Sequence, residues 1–258
     1  MGLAFKTYAI SDLGLHRDGN EDSALAAPRI VAVADGMGGH AGGEVASKIA
    51  ILALADLEPI LSDANIDSDS REDLLLNISY EIDKQISERS KAEPELSGMG
   101  TTLTALHLAE DSVELLHIGD SRCYSYQEGK FIQLSYDHTV MQELLDQGRL
   151  TPEEVINHPQ RSLLTQALMG DSGIDPALLI FPAKIGDNFL LCSDGLTVVL
   201  SDQEITKLIK KNSGDALVSA LVEAVKAKGA PDNVTVLWVE VVESSDATKK
   251  ILIGAANE

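Results

Sequence analysis

Residues 101–134 read TTLTALHLAEDSVELLHIGDSRCYSYQEGKFIQL, and this stretch decides the fold. It divides into several short β-like runs separated by turn signals at Asp111-Ser112, Gly119-Asp120 and Glu128-Gly129, residue pairs that favour tight reversals. Short runs joined by such turns predict an antiparallel meander. Upstream, residues 5–11 alternate apolar and polar side chains, and 29–34 form an apolar run rich in Val and Ile; both read as strands. After the glycine-rich segment 36–43, Val45, Ile49, Leu52 and Ala53 recur at helical spacing, and Leu74, Ile78, Ile82 and Ile86 mark a second helix beyond the polar connection 62–70.

Downstream of the meander, residues 137–170 change character. A helix-like stretch at 140–147, a helix start at Thr151-Pro152-Glu153-Glu154 and the landmarks His138, His158 and Pro159 read as an inserted flap. Strands resume at 177–181 and 188–192, helices are predicted over 202–211 and 215–228, and a strand closes at 234–241. Strands and helices therefore cluster instead of alternating strictly. That favours an α+β fold with antiparallel sheets covered by helices over a doubly wound parallel sheet. One domain is expected over residues 1–242, with a loosely ordered tail at 243–258 that could lead into further chain.

Composition narrows the function classes. The 258 residues are 44% hydrophobic and 24% charged, the balance of a packed globule and far from that of a disordered chain. The formal net charge of -21 disfavours nucleic acid, whose main attraction comes from Lys and Arg. Cys123 and Cys192 lie in strand-like apolar runs without paired metal-ligand spacing and read as buried, reduced thiols. No stretch approaches a membrane span and no basic, then apolar leader is visible, so a cytoplasmic chain is expected, or the cytoplasmic part of a membrane-anchored one.

Chemistry concentrates at strand ends. Asp22, Asp35, Asp120, Asp194 and Asp232 each sit beside a predicted strand, and Asp35 and Asp194 close apolar runs and are followed directly by Gly. Any one of these is an ordinary turn aspartate. Together they would set several carboxylates at one end of a buried sheet, where they would repel one another without cations. All-oxygen ligands with no Cys or His cluster suit Mg²⁺ or Mn²⁺.

The order Arg17-x-x-Asn20-Glu21-Asp22, Asp35-Gly36-Met37-Gly38-Gly39-His40, Gly100-Thr101-Thr102, Gly119-Asp120-Ser121-Arg122, Ser193-Asp194-Gly195 and Asp232-Asn233-Val234-Thr235 resembles the protein phosphatase 2C family over about residues 5–241. The Asp-Gly-Met-Gly-Gly-His form is similar to the bacterial branch that acts opposite Hanks-type serine/threonine kinases. The resemblance implies a four-layer α-β-β-α sandwich, two packed sheets flanked by helices. It further implies that Asp35 bridges two metals, that Asp194 and Asp232 ligate the first, and that the Gly36 carbonyl ligates the second with support from Glu21 and Asp22 through water. Asp120 with Asp194 would match a third metal site, and Arg17 would bind the substrate phosphate.

The implied reaction is hydrolysis of phosphoserine or phosphothreonine by a water shared between two cations, with the Arg17 guanidinium holding two phosphate oxygens. Two or three Mn²⁺ or Mg²⁺ ions, phosphorylated protein partners including kinases and their substrates, and a monomeric chain follow from the same resemblance. The general acid is open. Met37 stands where eukaryotic relatives carry His, leaving His40 or a metal-held water as candidates; His138 and His158 read as packing or surface residues of the flap.

Rival readings fail on specific residues. Gly36-x-Gly38-x-x-Ala41 matches a dinucleotide fingerprint, but Asp35 would set an anion beside the pyrophosphate and the second parallel strand is missing. Glu44-Val45 stands where a P-loop needs Lys and Ser/Thr. Asp63-x-Asn65-x-Asp67 lacks the glycine and the terminal Glu of a calcium loop, having Ser68 and Leu74. A catalytically weak scaffold that binds phosphoproteins is the remaining alternative; its mark would be lost metal ligands, and none is missing.

Overall fold

The computed structural model describes residues 2–38, 42–63, 65–155, 158, 160, 162–171 and 173–257, the side chains of Pro152 and Glu153 excepted. In chain order the strands are β1 (Leu3–Asp12), β2 (Asp22–Ala26), β3 (Ile30–Met37), β4 (Gly100–Thr101), β5 (Leu103–Leu108), β6 (Ser112–Ile118), β7 (Arg122–Gln127), β8 (Lys130–Gln133), β9 (Ala177–Pro182), β10 (Asn188–Cys192), β11 (Val234–Glu243) and β12 (Ile251–Gly254). The helices are α1 (Gly42–Leu61), α2 (Ser68–Ala92), α3 (Val140–Asp146), α4 (Pro152–Val155), α5 (Asp194–Thr197), α6 (Asp202–Ile209) and α7 (Gly214–Ala227).

Two antiparallel sheets result. One has five strands in the order β1-β11-β10-β7-β8; the other has seven, ordered β12-β2-β3-β5-β6-β9 with β4 paired to β3. The apolar run of β3 is explained by burial on both faces. Val31 and Val33 enter the core between the sheets with Phe5, Leu106, Phe189 and Val239, whereas Ile30, Ala32 and Ala34 face the α1 and α2 layer with Ile51, Leu54 and Ile82. The period of two along the strand sends alternate side chains to the two cores. On the other sheet, Leu190, Val234, Val236 and Trp238 pack beneath Leu196, Leu217 and Leu221 of the helical layer. This is the expected α-β-β-α sandwich.

Termini of the helices follow local chemistry. Asp67 caps α2 by accepting from the Ser70 N–H at 2.9 Å, and Ser201 with Glu204 forms a reciprocal capping box on α6. The flap between β8 and β9 contains α3 and α4 and is pinned by the bridges Thr139↔Leu164 and Thr101↔Leu168.

The tail corrects an expectation. Residues 251–254, expected to be loosely ordered, pair with β2 in the register Ile251↔Ala26 to Gly254↔Ser23, and Ala255 and Ala256 are buried beside α1. Four residues are too short to show a pattern of their own; the edge of β2 supplies the partner. β2 itself, DSALA, lacks the β-branched residues that announce a strand. No helix among the described residues is long and apolar enough to cross a membrane.

Candidate metal centre

Antiparallel pairing brings the acidic positions to one end of the sandwich. Asp22 lies directly opposite Asp35 in the β2–β3 register, Asp194 starts α5 where β10 ends, and Asp232 precedes β11, the strand that pairs with β10. A cleft of about 410 Å³ at this end is lined by Arg17, Glu21, Asp35, Gly36, Asp120, Asp194 and Asp232, with Thr102 and Met37 beside them and Leu163, Leu164 and Met169 reaching over from the flap. Seven of the nine sequence-predicted site residues thus share one cleft. Asp22 does not line it. Its carboxylate is buried beneath, with Oδ2 accepting from the Ser193 hydroxyl at 2.7 Å. His40 lies outside the described residues.

Backbone contacts fix the ligand positions. The Asp35 N–H donates to Thr102 Oγ1 at 2.9 Å, while the Asp35 carbonyl accepts from the Thr101 hydroxyl and the Thr102 N–H, both at 2.9 Å. Asn233 ties the incoming loop to this end: its side chain donates to the Leu13 and Gly19 carbonyls at 2.9 and 3.0 Å and accepts from the Glu21 N–H at 2.8 Å. The glycines after Asp35 and Asp194 answer to packing. A Cβ on Gly36 would stand 2.1 Å from the Gly43 carbonyl oxygen, and one on Gly195 would stand 1.9 Å from that of Asn233. Only glycine lets the backbones approach so closely. Thr102, Ser193 and Asn233 sit in motifs visible in the sequence, but their partners are distant in the chain and nothing local reveals their roles.

The electrostatics are those of crowded anions. Desolvation, then the charges of Asp22, Asp194, Asp120 and Asp232, push the Asp35 carboxyl well above the ordinary range. Burial raises Asp22 to about 7 against the hydrogen bonds that oppose it. Burial and the neighbouring Asp194 raise Asp120 to about 7, and burial with Asp232 raises Asp194 to about 6. Among the described residues, the cation on the cleft wall is Arg17, whose Nη2 lies 2.6 Å from Asp232 Oδ2 and whose Nη1 lies 3.8 Å from Glu21 Oε2. Arg122 is engaged elsewhere, with Asp137.

Carboxylates held together against their own repulsion fit divalent cations, and a donor set made only of oxygen fits hard ones such as Mn²⁺ or Mg²⁺. Among the described residues no three His, Cys, Asp or Glu side chains are already gathered as a closed ligand cage. Asp35, Asp120, Asp194 and Asp232 line the same cleft, with Asp232 paired to Arg17.

Comparison with known proteins follows the same lines. The sequence model of the protein phosphatase 2C family matches residues 18–235. The chain is 42% identical over 259 residues to the serine/threonine protein phosphatase PstP of Mycobacterium tuberculosis, covering 99% of this chain and 49% of that protein. It therefore spans about half the length of that relative. It is 36% identical over 212 residues to the serine/threonine phosphatase stp of Listeria monocytogenes serotype 4b, covering 82% of this chain and 84% of the other. Among solved structures, the catalytic domain of PstP in complex with two manganese ions superimposes with a TM-score of 0.83 at 41% identity, over 93% of this chain and 100% of that one.

Proposed function

This chain belongs to the protein phosphatase 2C family, and from that premise we propose that it is a metal-dependent protein serine/threonine phosphatase. The observation that carries the reading is the convergence of Asp35, Asp120, Asp194 and Asp232 with Arg17 in one cleft. Asp35, Asp194, Asp232 and the Gly36 carbonyl are the proposed ligands of two cations, Asp120 and Asp194 those of a third. Glu21 and Asp22 support the set through water and through the packing of β2 on β3. When bound, Mn²⁺ or Mg²⁺ would supply Lewis acidity and lower the pKa of water for in-line attack on phosphorus.

The chain's own residues do the rest. Arg17, 44% exposed at its side chain, is free to turn from Asp232 toward a phosphate once that carboxylate has another partner, and its planar fork suits two phosphate oxygens. Thr102 and Asn233 hold Asp35 and the 12–21 loop at fixed positions, so that little reorganisation is needed in the transition state. His40 remains the proposed side-chain donor to the leaving alkoxide.

Residues 1–242 form the proposed catalytic domain, to which the tail adds β12. The proposed partners are phosphorylated proteins, including serine/threonine kinases and their substrates, met in the cytoplasm by a monomeric chain. Phosphate release from a phosphothreonine peptide, followed with Mn²⁺ and again after chelation, tests the reading. Turnover only with the metal supports it; a folded, metal-loaded chain that releases no phosphate would favour a phosphoprotein-binding scaffold.

A further inference from the structure

We propose that the pocket beneath α3 is a subsite for one large aliphatic side chain of the substrate, close to the phosphorylated residue; this rests on the phosphatase reading above. The pocket has a volume of about 280 Å³ and shares Asp120, Ser162 and Asp194 with the metal cleft, so the two spaces adjoin. Its walls are Met141 and Leu145 of α3 on one side and Thr197 and Val198 at the end of α5 on the other. Val198 is 43% exposed, an aliphatic surface left open beside a charged centre. A peptide with its phosphate at Asp35 and Arg17 has this wall as its neighbour.

The floor decides which side chain fits. Arg122 donates from Nε to both Asp137 oxygens at 3.0 Å and from Nη2 to Oδ2 at 2.6 Å, and Gln133 donates to Oδ1 at 2.8 Å. Arg122 Nη1 is spent on the Tyr124 hydroxyl at 3.1 Å. Among the described residues, Arg122 and Asp137, 28% and 9% exposed at their side chains, offset each other's charge. Among the described lining residues, the charges open to a Lys or Arg side chain are Asp120 and Asp194, both proposed metal ligands; an acidic one meets the same two carboxylates. Leu, Ile or Met gains contact with Met141, Leu145 and Val198 without an unpaired polar group.

The wall is also rigidly placed relative to the metal centre. The His138 N–H donates to the Gly119 carbonyl at 2.8 Å, and the Gly119 N–H donates to His138 Nδ1 at 3.1 Å. Thr139 Oγ1 then caps α3 by accepting from the Gln142 N–H at 3.1 Å. The turn that carries Asp120 and the helix that forms the pocket wall are one hydrogen-bonded unit.

The test uses the full chain with Mn²⁺ and phosphothreonine peptides carrying Leu or Ala singly at each of three positions on either side of the phosphoresidue. At one position kcat/KM should favour Leu over Ala by roughly tenfold, the scale of a partly enclosed aliphatic contact. Val198→Asn and Leu145→Gln should each bring that ratio toward one. Both positions are partly accessible, and the ratio is internal to each variant, so a change in its overall activity does not disturb the comparison. Turnover of all peptides with no Leu preference above twofold, or a preference unchanged in both variants, would overturn the subsite and leave the phosphatase reading standing. No turnover of any peptide or of p-nitrophenyl phosphate would overturn both.

Discussion

Replacing Asn233 by Ala removes one side chain and strands three backbone groups. The Leu13 and Gly19 carbonyls and the Glu21 N–H each lose a hydrogen bond of 2.8 to 3.0 Å. Asn233 itself is 4% exposed, so water does not freely replace it. At about 1 kcal/mol for each partly buried group left without a partner, the loss is about 3 kcal/mol. For a domain of this size that corresponds to a fall in Tm of roughly 6–12 °C. Because the freed loop carries Arg17 and Glu21, Mn²⁺ affinity should fall and KM for a phosphopeptide should rise along with the loss of stability. Asn212→Ala is the control. It removes a single side-chain bond, to the Leu208 carbonyl at 2.9 Å, and should cost about 1 kcal/mol or less without touching metal binding. Urea unfolding and calorimetric Mn²⁺ titration of both variants are the assays. An Asn233→Ala protein within about 0.5 kcal/mol of wild type, with unchanged Mn²⁺ affinity, would refute the reasoning.

Four further outcomes are expected. Gly254 has φ +67° and its added Cβ would lie 2.2 Å from the Asp22 carbonyl oxygen. Gly254→Ala should therefore cost about 3 kcal/mol by urea unfolding and weaken Mn²⁺ binding, whereas Gly129→Ala, at φ +78° but facing open space, should cost only about 1 kcal/mol. Metal affinity should fall on acidification from about pH 8 to 6, since Asp22 and Asp120 are pushed up to about 7 and Asp194 to about 6 and protons then compete with Mn²⁺. By the same linkage, carboxyls whose folded pKa is raised stabilise the metal-free fold fully only below about pH 4, and that contribution is lost as pH rises toward 7; scanning calorimetry of chelated protein across this range should show Tm falling. His117 carries the opposite sign: burial pushes its pKa down to about 3, so below about pH 6 the unfolded chain binds the extra proton. His117→Gln should remove about 1.4 kcal/mol per pH unit of acid destabilisation, read as a difference in slope from wild type.

How far residues announce their place depends on how local the cause is. β3 and β11 are legible because Val and Ile runs state a buried strand by themselves, and α1 and α2 because their apolar spacing does. β2 and β12 are not: the small residues of β2 become a strand between β3 and β12, and the four residues of β12 by pairing with β2. The same division runs through the site. Asp35 and Asp194 stand out as acids followed by glycine at the ends of apolar runs. The grip of Arg17 on Asp232, 215 residues away, and the burial of Asp22 under Ser193 depend on which strands become neighbours, and no local pattern carries that. Asp232-Asn233 has the composition of an ordinary turn, and nothing in it tells that the Asn233 side chain gathers three distant backbone groups.

The central claim is that carboxylates converging on one cleft hold the ions that hydrolyse a phosphoprotein. Its most direct test is Mn²⁺ binding by isothermal calorimetry beside phosphothreonine-peptide turnover in wild type, Asp35→Asn and Asp194→Asn under one buffer. The account predicts that wild type binds at least two ions and turns over, and that each variant stays folded, binds fewer ions and loses turnover by at least a hundredfold, on the order of 3 kcal/mol of transition-state stabilisation. Variants that bind and turn over like wild type would contradict it.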